Sequence, residues 1–269
     1  MNRFLISLLF ALVVVSCSPN INSDSESPII ENLEIVNLDS VNHIVFPVET
    51  KVQFSANFID NQDLGSYRFD IHFAGDGHKH THIDPKKSTT SSSEWDFSKN
   101  GEMSGTEKKI TFTKKIEFKD EDGRVLDVVA NSGPYHCVVY AVDKAGNSAS
   151  FVQSNFIITN EDMPTYTITE PDFTDYKVAA GGTIILKGTV YGKKGLSKLA
   201  YIIRSIDDED ADDLLNESVL IEGDIKEETI DASIIIPTTA LTGKYAMILL
   251  ASDKAGNVGE NFEVFEITN

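Results

Sequence analysis

Cysteine is scarce, with Cys17 and Cys137 the two in 269 residues, and basic residues are few, 23 Lys and Arg against 42 Asp and Glu, for a formal net charge of -19. Phosphate backbones and anionic headgroups are held by a basic footprint, so this balance excludes nucleic-acid binding and repels anionic lipid. After residue 16 no segment is apolar enough to span a bilayer as a helix, and no amphipathic helix of ten residues or more can be traced. A P-loop, a Rossmann glycine pattern and a Ser-His-Asp nucleophile motif are all missing. An enzyme is therefore not expected; a three-histidine zinc with bound water would need a general acid or base, and Glu94 is the nearest in sequence.

What is there begins with an address. Arg3 is followed by an apolar run from Phe4 to Val15, then Ser16 and Cys17, with no acidic residue before Asp24. That run is too short for a stable span and small residues follow it, which reads as a signal peptide over residues 1–16. Val14-Val15-Ser16-Cys17 resembles a bacterial lipobox, which implies cleavage before Cys17 and acylation of it. Acyl chains would then hold the protein to a lipid bilayer without a spanning helix, and Cys137 alone would leave no partner for an intrachain disulfide. Residues 17–27 are rich in Ser, Asn, Asp and Glu and are expected to be a flexible tether. Asp24 and Glu26 soon after the Cys resemble the signals that send some Gram-negative lipoproteins to the outer face of the outer membrane.

The remainder is duplicated. Tyr135 to Asn147 matches Tyr245 to Asn257 at an offset of 110, and Leu64 to His72 matches Leu196 to Arg204 at an offset of 132. The first copy thus has 22 extra residues between these landmarks, and loops of this kind are where binding residues tend to sit. Alternating β-branched and aromatic residues bounded by Gly, Pro, Asn and Asp predict strands over 50–57, 66–73, 109–118 and 135–142, and over 183–191, 198–203, 229–236 and 244–252. The fold class expected is all-β, two tandem immunoglobulin-like antiparallel β-sandwiches, over residues 28–160 and 161–269. Each copy ends one strand in Asp-Lys-Ala-Gly-Asn, which resembles the final hairpin of bacterial immunoglobulin-like domains. There the Asp can cap the turn and Gly and Asn can accept positive φ. One carboxylate per turn is a poor calcium ligand set, so calcium is not expected.

Four of the six histidines, His72, His78, His80 and His82, fall within eleven residues. In an immunoglobulin-type sandwich the strand ending at Phe73 lies antiparallel to the strand starting near Tyr135. Alternation turns Tyr67, Phe69, Ile71 and Phe73 inward on the first, and Tyr135, Cys137, Val139 and Ala141 inward on the second. His72 and His136 are then expected side by side on the exposed face, with Arg204 and Ala246 in their places in the second copy. His78-Lys79-His80-Thr81-His82, if extended, lays three rings along one side, and the Gly75-Asp76-Gly77 turn would return it beside His72. Imidazoles favour Zn or Cu over Ca or Mg. The expected metal ligands are His72, His78, His80, His82 and His136 with Asp76, and Asp70 or Asp84 as further oxygen donors.

Leu64, Asp70-Ile71-His72, Gly77-His78-Lys79-His80 and Tyr140 to Asn147 together resemble a family of Gram-negative surface lipoproteins, domain of unknown function 4625, across the first copy. The resemblance implies the sandwich fold and an envelope location. An outer-membrane metal transporter is the partner that would fit, with the chain itself a monomer. The expected function is metal capture at the outer membrane; the competing expectation is a non-catalytic interaction or glycan-binding module. Asp207 to Asp213, which lacks the turn Gly and terminal Glu of an EF-hand, is expected to be a solvated acidic loop.

Overall fold

The computed structural model describes residues 24–37, 45–75, 93–119, 122–208 and 211–269. Among the described residues sixteen strands form four sheets, none of which mixes strands from the two copies. In the first copy β1 (Ile29–Asn37), β3 (Lys51–Ile59) and β6 (Glu107–Lys115) make one sheet. The facing sheet runs β2 (Val45–Pro47), β8 (Val152–Thr159), β7 (Gly133–Asp143), β4 (Leu64–Phe73), β5 (Phe97–Glu102). The second copy repeats this order. Its smaller sheet is β14 (Glu227–Ile235), β11 (Thr183–Tyr191) and β9 (Thr165–Glu170). Its larger one is β10 (Lys177–Ala179), β16 (Val258–Thr268), β15 (Gly243–Asp253), β12 (Leu196–Ser205) and β13 (Leu215–Leu220).

The eight strands expected from alternation are all present. β6 stops at Lys115 rather than Phe118, because the chain bends at Ile116, whose amide bonds back to Thr50. The sheets are antiparallel except at one edge of each copy, where the short β2 and β10 lie parallel to β8 and β16. Three-residue strands carry too little alternation to be read from sequence.

Period-two alternation works as expected on the central strands. Phe69, Ile71, Tyr135, Cys137, Val139 and Ala141 are all buried, in a core where Phe54 stacks on Phe112 at 5.2 Å and Tyr135 on Phe156 at 5.6 Å. Burial pushes the Cys137 thiol far above its ordinary range, so it packs as a small apolar side chain. Trp95 joins this core, 4.9 Å from Phe97. The second core is mostly aliphatic, built on Ile184, Leu186, Leu199, Ile203, Met247 and Leu249.

A tyrosine anchors the start of the central strand in both copies. The Tyr135 hydroxyl bonds to the Asn131 carbonyl at 3.1 Å, and the Tyr245 hydroxyl to the Leu241 carbonyl at 3.0 Å. This is the tyrosine corner of immunoglobulin-type sandwiches. In the first copy the same oxygen also accepts the Trp95 amide at 3.2 Å. At Gly65 the backbones of β4 and β7 approach so closely that a Cβ would lie 2.7 Å from the Asp143 carbonyl oxygen, which fits the register shift between Leu64 and Ser66.

The copies meet end to end. Val258 donates its amide to the Ser132 carbonyl at 2.7 Å, Asn257 Oδ1 accepts from Ser132 N at 3.1 Å and from Asn160 Nδ2 at 2.7 Å. Phe73 packs on a small cluster of Ala200, Ile202, Leu250 and Val258.

Removing the Tyr135 hydroxyl strands the buried Trp95 amide and Asn131 carbonyl. Tyr135→Phe should therefore cost about 1–3 kcal/mol, read as a lowered urea midpoint; an unchanged midpoint would show the corner to be energetically idle.

Candidate metal centre

The register between β4 and β7 pairs Ile71 with Cys137, His72 with His136, and Phe73 with Tyr135. Since Ile71 and Cys137 point into the core, the two imidazoles share the opposite face, and their ring centroids are 5.5 Å apart at an interplanar angle of 81°. Two imidazoles sharing one tetrahedral ion at bond lengths of about 2.0–2.1 Å have centroids roughly 5 Å apart, so the spacing suits a shared ion. The corresponding positions of the second copy are Arg204 and Ala246, likewise paired across β12 and β15. There Arg204 instead forms a two-pronged ion pair with Asp213, Nε to Oδ1 at 2.8 Å and Nη2 to Oδ2 at 3.1 Å.

One expectation needs correction. His136 is not on an exposed face; it is only 7% accessible, and Val138 beside it is fully buried. β7 is the central strand, and β4 and β8 place Asp70, His72, Gln153 and Asn155 level with these two residues, which walls them off from solvent. His72 is half-buried. A ligand on His136 would thus sit partly out of water.

Among the described residues His72 and His136 gather no third His, Cys, Asp or Glu into a compact ligand set. Asp70 is engaged elsewhere, with Arg68 Nη2 at 2.8 Å and the Ser98 hydroxyl at 2.6 Å. The remaining expected ligands, His78, His80, His82 and Asp76, lie outside the described residues, as do Asp84, His43 and the acylation candidate Cys17. The chain leaves the described part at Gly75, three residues beyond His72, and returns at Ser93.

Asp96 is a nearby residue that sequence reading passed over. It precedes β5, whose Phe97 pairs with Ile71, so it stands level with His72, and its Oδ1 accepts the Phe73 amide at 2.8 Å. Burial pushes its carboxyl above the usual range, the Phe73 hydrogen bond opposes this, and the Asp70 charge adds to the rise. Only the strand register, not the sequence spacing of 24 residues from His72, brings it here.

The Asp-Lys-Ala-Gly-Asn turns are built as expected on their aspartates. Asp143 Oδ1 accepts the amides of Gly146 and Asn147 at 2.6 and 2.8 Å, and Asp253 Oδ1 those of Ala255 and Asn257 at 2.9 and 2.8 Å. Gly146 and Gly256 take positive φ, whereas Asn147 and Asn257 do not; the Asn amides instead reach back to the same aspartates, at 2.7 and 2.9 Å. In the acidic loop of the second copy Asp213 holds Arg204 and Asp207 accepts the Lys244 amide at 2.8 Å, so these two carboxylates serve the fold.

A family profile matches residues 15–159, ending on the last residue of β8. The chain belongs to the family called domain of unknown function 4625 (DUF4625). No curated protein matches. Solved structures that resemble the chain include the fibronectin(III)-like modules of Clostridium thermocellum CbhA, at 13% identity with 87% of this chain and 92% of that one covered and a TM-score of 0.24. Dimeric latent PorU from Porphyromonas gingivalis resembles it at 12% identity, with 90% of this chain but 24% of that one covered and a TM-score of 0.28. A tandem of titin immunoglobulin domains does so at 14% identity, 90% and 97% coverage and a TM-score of 0.23. In the DUF4625 domain, then, the imidazole pair sits at the end of the sandwich nearest the second copy.

Because the folded state raises the Asp96 pKa, it binds that proton more readily than the unfolded chain. Stability from this group is therefore lost as pH rises from the unfolded value of about 3.9 through the folded one. Asp96→Asn keeps an acceptor for Phe73 and removes the charge. The variant should have a higher urea midpoint than the parent at neutral pH, with the gain gone below pH about 3.9; an equal gain at both would rule out the ionisation as its source.

Proposed function

We propose that this DUF4625 protein is an outer-membrane-anchored lipoprotein, acylated at Cys17, that captures Zn or Cu through a histidine centre. His72 and His136 supply two ligands from adjacent strands, and His78, His80, His82 and Asp76 supply the rest. The observation that carries this reading is the pairing of His72 with His136 at 5.5 Å between ring centroids, next in the chain to the His-x-His-x-His segment. Two ligands fixed on neighbouring strands lose little freedom on binding, which favours affinity. The rest of the set comes from a connecting segment, so the metal would close that segment onto the sheet. Such a centre binds and releases; it is non-catalytic and would serve transfer to an outer-membrane transporter.

A second reading, a glycan or protein-interaction surface, draws on one observation. A shallow depression of about 430 Å³ on the same sheet is lined by Tyr67, Arg68, Asn100, Glu102 and Tyr140. Aromatic and hydrogen-bonding side chains of this kind suit a sugar.

Isothermal titration separates the two. The chain from Ser18 onward, purified without a histidine tag and stripped of metal, should bind Zn or Cu stoichiometrically at micromolar affinity or tighter. His136→Gln, chosen to fill the same buried volume, should weaken binding at least about tenfold, although it lies far in sequence from the other ligands. Millimolar binding, or an unaffected His136→Gln variant, would remove the cross-strand centre and leave the surface reading.

A further inference from the structure

At the opposite end of the first sandwich, folding brings together three carboxylates that are far apart in the chain. One oxygen from each of Asp24, Asp60 and Asp143 lies within 4.8 Å of the other two. Asp143 belongs to the Asp-Lys-Ala-Gly-Asn turn, Asp60 follows β3, and Asp24 precedes β1. Asp60 and Asp143 are 6% and 4% accessible. Asp60 turns Oδ2 to the amides of Gln62 and Asp63, at 2.9 and 2.8 Å. Its other oxygen, Oδ1, is buried and accepts no hydrogen bond. A buried carboxylate oxygen with no donor, among two further carboxylates, carries a large desolvation penalty unless a cation compensates it. Lys144, the basic residue of the turn, is directed at Asp63, 2.6 Å away.

The second copy provides an internal comparison. The residue after β11, the counterpart of Asp60 after β3, is Gly192. Ile29 pairs with Ile59 and Thr165 with Tyr191, the last residues of corresponding strands; five residues before each stand Asp24 and Asn160. Where the first copy has Asp24, Asp60 and Asp143, the matching positions for the second are Asn160, at the junction after β8, Gly192 and Asp253. There the neutral Asn160 amide bridges directly, to the Ala130 carbonyl at 2.9 Å and Asn257 Oδ1 at 2.7 Å. The same corner of the same fold is thus closed by hydrogen bonds in one copy and crowded with negative charge in the other.

We propose that Asp24, Asp60 and Asp143 hold a divalent cation of the calcium class. An all-carboxylate set suits a hard, oxygen-seeking ion rather than the imidazole-seeking metal of the other end. The count of one carboxylate per turn, from which calcium was not expected, misses the two that β1 and β3 bring to Asp143. The ion would clamp the segment at Asp24 to the sandwich, adding to the contacts from Asn61 Nδ2 to Asp24 Oδ1 and from Asn147 Nδ2 to the Asp24 carbonyl, each 3.1 Å. The expected flexible tether would then end before Asp24, and its stiffness at that point would depend on calcium.

Thermal unfolding of the full chain in detergent, in chelator and then in millimolar calcium chloride, tests this. Calcium should raise the midpoint of the first unfolding transition by about 5 °C or more, and the rise should vanish in Asp60→Asn and in Asp24→Asn. Asp60→Asn retains an acceptor for Gln62 and Asp63, so in chelator it should melt at or above the parent. His72→Gln should keep the full calcium response, which separates this site from the histidine centre. A parent midpoint indifferent to calcium, or a calcium shift retained in both Asp variants, would overturn the proposal. So would an Asp60→Asn protein that melts well below the parent in chelator, since the carboxylate would then be a structural cap.

Discussion

The antiparallel pairing of β4 with β7 is the constraint on which the rest of the first sandwich depends. It is the centre of the larger sheet, and its register is fixed because both strands turn one face into the core. A slip of one residue would turn Phe69, Ile71, Cys137 and Val139 out of the core and the polar residues in. The same register that satisfies the core sets His72 opposite His136. The placement of the two imidazoles side by side is thus a by-product of hydrophobic burial. Close approach at Gly65 and the tyrosine corner at Tyr135 hold the two ends of that pairing.

Duplication makes the second sandwich a control for the first. Strand order and the two Asp-anchored turns recur, so these belong to the scaffold. What differs lies at the two ends. His72 and His136 give way to Arg204 and Ala246, with the Arg held by Asp213. At the other end Asp24 and Asp60 give way to Asn160 and Gly192. In the second copy that end rests on the first sandwich through Asn257, Asn160 and Ser132. In the second copy Arg204 closes an ion pair with Asp213 and Asn160 a hydrogen bond with Asn257, where the DUF4625 domain has imidazoles and carboxylates.

Much of this was legible in the sequence, and the reason is alternation. Central strands that bury one face carry a period-two signal strong enough to give sheet class, inward residues and the His72 to His136 pairing across more than sixty positions. Of the strands that alternation does not give, β2 and β10 are three residues long and β5 and β13 are mostly exposed, whereas β1 and β9 lie at an edge and β8 and β16 inside the larger sheets. The burial of His136 was missed because alternation assigns a face but not the height of neighbouring side chains on that face. The meeting of Asp24, Asp60 and Asp143 was missed for a different reason: Asp24 and Asp60 sit outside strands and Asp143 at the last position of β7, where periodicity gives out, and only the closed three-dimensional sandwich brings them together.

The central claim, that the strand-paired imidazoles share a metal with the adjoining His-rich segment, is tested most directly by anomalous diffraction at the zinc edge from crystals grown with one equivalent of zinc. The account predicts a single strong peak about 2.0–2.1 Å from one ring nitrogen each of His72 and His136, completed by at least one of His78, His80 and His82. A peak bound by the segment's histidines alone, with the His72 and His136 rings turned away from it, would contradict it.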